Sequence, residues 1–263
     1  SSAPFHMWAP DVYEGAPTPV TTFLAIVSKA AAFGLLLRVV LVGYWDVFRS
    51  LDEQTMGRIS LLFVVIAALS MIIGNTVALR QRNVKRMMAY SSVAQAGYIL
   101  VPFAILGVGL FEAVSFYLMA YVLTTVGAFA VIMLVSREAG TSDIRSFAGL
   151  FKRAPWTAVA MLIFVLSLAG IPLTGGFIGK FYIFFNALIG QHVWLAIIMV
   201  VTSVISYFYY FEIVRQMFFR PASSTEKMRI PRGITAVVLI GVFGTIVLGV
   251  LPQAVFDYLG QLQ

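Results

Sequence analysis

Apolar stretches long enough to cross a bilayer alternate with short polar connections along the whole of this chain. Seven can be drawn: Pro19–Tyr44, Ile59–Leu79, Val84–Leu106, Phe111–Val135, Pro155–Leu188, Val193–Phe219 and Ile234–Leu251. A helix rises about 1.5 Å per residue, so roughly twenty apolar residues match the ~30 Å hydrocarbon core of a membrane. Six of the seven read as single crossings. The fifth is different, because the run from Trp156 to Leu188 would be about 50 Å long as one helix. Gly170, Pro172, Gly175 and Gly176 mark where it is expected to unwind. Unwound backbone at membrane depth is tolerated only where it is buried in protein or lines a wet cavity, since lipid offers no hydrogen bonds. The expected fold is therefore all-α: a polytopic membrane helix bundle of about seven transmembrane helices, one of them discontinuous.

Composition agrees with the pattern. The chain is 60% hydrophobic and 11% charged, with mean hydropathy +0.94. Its net charge of +7 does not point to nucleic acid, because the basic residues gather between the apolar segments. Arg80, Arg82, Lys85 and Arg86 fill one connection, Arg137, Arg145, Lys152 and Arg153 a second, and Arg220, Lys227, Arg229 and Arg232 a third. The alternate connections, around Asp46–Glu53, Gly107–Glu112 and Gly190–His192, are short or acidic. By the positive-inside rule the basic side is cytoplasmic, the N-terminal segment lies there too, and the C-terminus near Asp257 faces outward. With no cysteine, disulfides, iron–sulfur clusters and thiolate metal sites are excluded from this chain, and His6 and His192 alone do not make a metal site. Residues 1–17 carry no signal-peptide pattern and the chain does not begin with Met, so it reads as the C-terminal part of a longer molecule.

The chemistry lies in two lysines. Lys180 is the only charge between Trp156 and Leu188 and sits beside the expected helix break, the arrangement of an ion pathway. Lys29 lies ten residues beyond Pro19, about 15 Å into the first span, too deep to snorkel easily. Packing or a neighbouring partner is the bland account of either. The other intramembrane charges have simpler explanations: Arg38 lies toward the outer end of its span, and Glu212 precedes Arg215 by one turn as an ion pair. Glu112, at the outer entrance of the fourth span, is either solvated or a collector of protons. Two polar stripes run at helical spacing, Ser91, Gln95 and Tyr98 in the third span and Tyr117, Tyr121 and Thr124 in the fourth. Interhelical hydrogen bonding is the ordinary use of such stripes. Beside intramembrane lysines they also order bridging water, while a desolvated amine can gain and release the proton itself.

PFHMWAPDVYEGAPTPVTTFLAIVSKAA, NVKRMMAYSSVAQAGYIL, YLMAYVLTTVGAFAV, DIRSFAGLFKRAP, LAGIPLTGGFIGKFYIF and SVISYFYYFEIVRQMF occur here in that order. Together they resemble the subunit N family of the proton-pumping NADH–quinone oxidoreductase, respiratory complex I, whose antiporter-like membrane subunits are related to the Mrp antiporters. The resemblance covers essentially the whole chain and about the C-terminal half of the family. It implies two inverted repeats, each with a broken helix, of which this chain supplies one. Residues 1–45 would form a re-entry loop and the last helix of the first repeat with Lys29. Residues 46–219 would form the second repeat, with broken helix 155–188 and Lys180, and residues 220–263 a cytoplasmic linker and one trailing helix. Lys29 and Lys180 match the family's central lysines, whereas a further lysine and a buried glutamate would lie upstream of Ser1. Many relatives have His where Gln95 stands, so a hydrogen-bonding group occupies that position here in place of a titrating one.

The function this implies is a lysine- and water-based proton path, coupled to electron transfer in partner subunits of the same translocase. NADH, FMN, the Fe–S clusters and quinone would belong to those subunits and no cofactor to this chain, consistent with the absence of a GxGxxG run opening a helix after a strand. The expected partners are neighbouring antiporter-like subunits, the lipid bilayer, and protons with ordered water. The expected location is a bacterial inner membrane, an organellar membrane being the other setting. Two alternatives stand beside it: a subunit of a multi-subunit cation/proton antiporter of the Mrp type, from which DVYEGAP separates the subunit N branch, and a structural membrane scaffold whose lysines only lock helices.

Overall fold

A computed structural model describes residues 2–43, 52–107, 109–222 and 226–261. Most of the acidic connection around Asp46–Glu53, the end of the first span at Tyr44, and Val108 in the Gly107–Glu112 turn lie outside these residues. In chain order the helices are α1 Trp8–Gly15, α2 Thr18–Arg38, α3 Glu53–Ala78, α4 Val84–Ile105, α5 Leu110–Ala139, α6 Leu150–Arg153, α7 Pro155–Ala169, α8 Gly175–Ile189, α9 Val193–Phe219, α10 Arg232–Val250 and α11 Pro252–Gly260. Helix α2 runs on through a π-helical stretch, Val39–Gly43. Among the described residues six helices are long and apolar enough to cross a membrane, and α7 and α8 are two half-length apolar helices in series. The seven crossings expected from hydropathy are thus present.

Two features differ from expectation. The entry to the first span is not a loop, because Trp8–Gly15 is helical and buries Ala9 and Tyr13. The trailing segment holds two helices: beyond α10, Pro252 starts the amphipathic α11, whose Phe256 ring stacks at 4.5 Å on Phe116 and lies 4.6 Å from Tyr182. Nine residues are too few to span a bilayer, so hydropathy does not detect such a helix.

Helix α4 is the axis of the bundle. Of its most apolar window 89% is buried, against 17% for α10 at the periphery. Small residues make this possible. A Cβ at Gly74 of α3 would lie 2.6 Å from the Ala94 amide, and one at Gly97 of α4 would lie 2.9 Å from the Ala67 carbonyl, so the α3 and α4 backbones nearly touch. Asn83 caps α4, accepting from the Lys85 and Arg86 amides at 2.9 and 3.3 Å.

The three basic connections meet on one face, as the positive-inside pattern requires. Val84 donates to the Ser142 carbonyl at 2.8 Å and Ile144 to Arg82 at 2.9 Å, pairing the first connection with the second. Gly149 then bonds Gln216 at 3.0 Å, and Met228 bonds Arg153 at 3.3 Å, which ties in the third. The expected pair of Glu212 and Arg215 is formed at 2.8 Å.

Candidate functional site

Helix α7 ends at Ala169 because Gly170 takes the left-handed conformation, with φ of 87°. Pro172 then has no N–H to offer, and Leu173 also has positive φ, at 72°. Thr174 restarts the chain as the cap of α8, accepting from the Phe177 amide. The unwound stretch is therefore Gly170–Thr174, and Gly175 and Gly176 do not belong to it. They form the first turn of α8, where their lack of a side chain serves close packing: a Cβ on Gly176 would lie 2.0 Å from the Ser167 carbonyl oxygen, and one on Gly175 would lie 2.8 Å from Leu248.

The break exposes carbonyls that Lys180 occupies. At the end of α7 the Gly170 and Ile171 amides fold back onto Leu166 and Ser167, leaving the last two carbonyls of the helix without them. Side chains on a helix tilt toward its N-terminus, so Lys180, in the second turn of α8, reaches back across the gap. Its Nζ donates to the Leu168 carbonyl at 2.8 Å and the Ala169 carbonyl at 3.2 Å. The ammonium thus faces the negative end of a helix dipole, and it also lies 4.5 Å from the centroid of the Tyr98 ring. Lys180 is 6% exposed. It borders a cavity of about 240 Å³ opening between α8 and α9, lined also by Phe181, Ser203 and Tyr207.

Lys29, on α2, is 7% exposed and points into α4. It donates to the backbone carbonyl and the hydroxyl of Ser92, the latter at 2.8 Å, and to the Tyr121 hydroxyl at 3.4 Å, with its amine 4.5 Å from the Tyr121 ring centroid. Tyr121 in turn donates to Ser92 at 3.2 Å, and the Tyr13 hydroxyl of α1 lies 3.5 Å from the same Ser92 oxygen. Burial pushes the Tyr13 phenol above its ordinary range, outweighing the opposite effect of Ser92, so it remains protonated.

The polar stripes do different work at different positions. Gln95 accepts from the Tyr117 hydroxyl and donates to the Leu168 carbonyl at 3.2 Å, the same oxygen that Lys180 holds, and to Tyr210 at 3.4 Å. Ser91 bonds Tyr210 in turn. A hydrogen-bonded series therefore runs from Lys180 through Leu168, Gln95 and Tyr210 to Ser91, and the next residue along α4, Ser92, holds Lys29. Tyr98 meets Lys180 with its ring face, while its hydroxyl goes to Thr202 at 3.3 Å and accepts from Asn75 at 3.2 Å. Thr124 is a packing bond, 3.1 Å from Ser167 and 3.2 Å from Thr245. Glu112 stands in the first turn of α5, away from both lysines, where its Oε2 is buried without a hydrogen-bond partner among the described residues. Between the two lysine clusters lies a cavity of about 10 Å³ lined by Tyr117, Tyr121, Thr124, Ser167 and Leu168. That is close to the space of a single water molecule, but Ala120 and Gly176 complete an almost wholly apolar wall, and the Tyr117, Tyr121 and Thr124 hydroxyls are already bonded to Gln95, Ser92 and Ser167.

Hydropathy and stripe counting missed Ser92, Tyr13, Tyr210 and Asn75. Because α4 is buried on nearly every side, a stripe on one of its faces cannot mark the groups that matter on the others. Gln95 is the joint between elements, and replacing it by Leu removes the acceptor for Tyr117 and the donor to Leu168. A buried polar group left unpaired costs about 1–3 kcal/mol. Gln95→Leu is expected to lower the thermal midpoint of the purified protein by several degrees, with Thr124→Val lowering it less.

Residues 1–206 match the family model described as NADH:quinone oxidoreductase/Mrp antiporter, transmembrane. The chain is 55% identical over 264 residues to NADH-quinone oxidoreductase subunit N of Brevibacillus brevis, covering 98% of this chain and 51% of that protein. It is 52% identical over 265 residues to the subunit N of Anoxybacillus flavithermus, covering 100% of this chain and 53% of that one. It spans about half the length of the curated relatives it matches. Among solved structures, a chain of respiratory complex I from Thermus thermophilus superposes with TM-score 0.81 at 35% identity, over 98% of this chain and 55% of that one. A chain of the Mrp complex from a Dietzia species superposes with TM-score 0.86 at 22% identity, over 98% and 55%, which shows a shared fold.

Proposed function

The chain belongs to the NADH:quinone oxidoreductase/Mrp antiporter transmembrane family, and on that premise we propose that it is a proton-translocating membrane subunit of an NADH–quinone oxidoreductase. The observation that carries the proposal is the pair of buried lysines, each in a polar cluster built on α4 and reaching the adjacent residues Ser91 and Ser92, one of the amines being seated on a broken helix. Each amine can hold a proton as ammonium and release it, which the tyrosines, serines and Gln95 around them do not readily do at working pH. Those neighbours instead orient the amines, Ser92 and Tyr121 at Lys29 and the Leu168 carbonyl with Gln95 at Lys180. In this scheme Lys29 and Lys180 exchange a proton through water that enters between them as their charge states alternate. Redox chemistry with NADH, FMN, Fe–S clusters and quinone belongs to partner subunits, as do the neighbouring antiporter-like chains on which assembly depends. On this reading residues 46–219 are the second of two inverted repeats, and the helix that carries Lys29 is the last of the first. The setting is a bacterial cell membrane.

The test uses the full-length subunit in the complete complex, reconstituted in proteoliposomes. Lys29→Ala is expected to preserve assembly and NADH-driven electron transfer from added substrate while lowering protons moved per electron. The reading fails if pumping per electron stays at the wild-type value. An Mrp-type antiporter, which shares the fold, would show sodium-dependent proton exchange in vesicles without NADH or quinone. The higher identity to subunit N sequences than to the Mrp structure favours the oxidoreductase.

A further inference from the structure

A cleft of about 330 Å³ opens between α7 and α10 on the side where the basic connections meet. Its walls are almost wholly apolar and include Trp156, Ala160, Ile163, Ile230, Val238 and Val242. Both helices start at its mouth, and its lining follows α7 from Trp156 to Ile163 and α10 from Ile234 to Val242, about two helical turns or some 10–12 Å.

The mouth gathers positive groups of three kinds, with Glu226 the acidic residue of the same connection. The first-turn amides of α7 and α10 have no side-chain cap, since their capping positions are Ala154 and Pro231. Two helix dipoles therefore present their positive ends side by side. Arg229 immediately precedes the cleft residue Ile230, and Arg232 lies two residues before Ile234, both of them exposed. Lys152, also exposed, sits just before the start of α7. Trp156, 83% exposed, stands among them, a residue type that settles at headgroup level.

We propose that this cleft is a binding site for an anionic phospholipid. One acyl chain lies against Ala160, Ile163, Val238 and Val242, and the phosphate meets Arg229, Arg232 and the amides of the two helix starts. The shape selects this occupant. A transmembrane helix of a neighbouring subunit would match the apolar walls but not the basic groups and free helix amides gathered at the mouth. A free phosphate would use the mouth and leave the apolar cleft without a function. The site stands apart from the proton network and does not depend on how that network works.

The complete complex, delipidated in mild detergent, can be titrated with phosphatidylglycerol or phosphatidylcholine carrying brominated acyl chains. The signal from this site is the quenching difference between wild type and Trp156→Phe. Phosphatidylglycerol is expected to quench Trp156 at concentrations where phosphatidylcholine does not. Arg229→Gln with Arg232→Gln should weaken phosphatidylglycerol roughly thirtyfold, at one surface-charge contact per arginine. Lysine at both positions should retain most of the affinity, and Ala160→Trp, which fills the cleft, should abolish quenching. The proposal is overturned if the two lipids quench equally, or if the double glutamine variant binds phosphatidylglycerol like wild type. It is equally overturned if glycerol 3-phosphate alone displaces the lipid, or if a cross-linker placed at Leu239 captures a protein chain lying across the cleft.

Discussion

Lys180→Arg is expected to yield a complex that assembles, transfers electrons and fails to pump through this subunit. Arginine keeps the positive charge and can donate to the Leu168 and Ala169 carbonyls that Lys180 holds at 2.8 and 3.2 Å. It also keeps the attraction to the end of α7 and to the Tyr98 ring. What it loses is the ability to give up its proton, since a guanidinium remains charged in proteins. The substitution thus separates the two accounts of this residue. A scaffold that needs only a cation to pin α8 to α7 is satisfied by arginine and undisturbed in every assay. A relay that needs a titrating amine stops. Lys180→Ala is the harsher companion: water entering from the adjoining cavity of about 240 Å³ takes over the two carbonyls, so assembly is expected to fall only in part while pumping is lost. The measurement is protons translocated per electron in proteoliposomes, beside the amount of intact complex on a native gel. Wild-type pumping in Lys180→Arg would remove Lys180 from the proton path.

How much of this was visible in the residues depends on the physical question. Lys29 and Lys180 were legible because a charge deep in an apolar run has few innocuous explanations. Gly170 and Pro172 were legible as a break because one favours positive φ and the other has no amide hydrogen. Gly175 and Gly176 carry the same letter for a different reason. A glycine that ends a helix and a glycine that lets another chain approach look identical until the neighbour, here the Ser167 carbonyl, is in place. The partners of Lys29 show the same limit, since Ser91 and Ser92 are adjacent and chemically equal. Helical rotation sends Ser91 to Tyr210 and Ser92 to Lys29, and only the packing of α2 and α9 around α4 decides which is which. The short helices α1 and α11 were invisible to a search for membrane-length apolar runs, although α11 places Phe256 between Phe116 and Tyr182.

Gly176→Ala is expected to be among the most damaging single-methyl changes in the chain. The added carbon would sit 2.0 Å from the Ser167 carbonyl oxygen and 2.8 Å from its side-chain oxygen. The obstructing atom is backbone, so no rotamer change relieves it, and α8 must move away from α7. That movement also breaks the bond from the Gly176 amide to Ser167, 3.1 Å in the intact protein, and through Ser167 disturbs Thr124 and Thr245. It further withdraws Lys180 from the carbonyls at the end of α7, because both contacts are fixed by the same approach of the two half-helices. Overpacking alone costs about 1–3 kcal/mol, and the lost polar contacts add to it, so a total of roughly 3 kcal/mol or more is expected. Against a domain stability of about 5–15 kcal/mol this is a large fraction. Gly57 provides the control: it is also helical, but a Cβ there meets nothing within 4 Å, so Gly57→Ala should be neutral or slightly stabilising. Thermal midpoints of the purified protein and the yield of assembled complex measure both. Equal behaviour of the two variants would show that the half-helices are not held at the separation described, and with it would go the seat that Lys180 occupies.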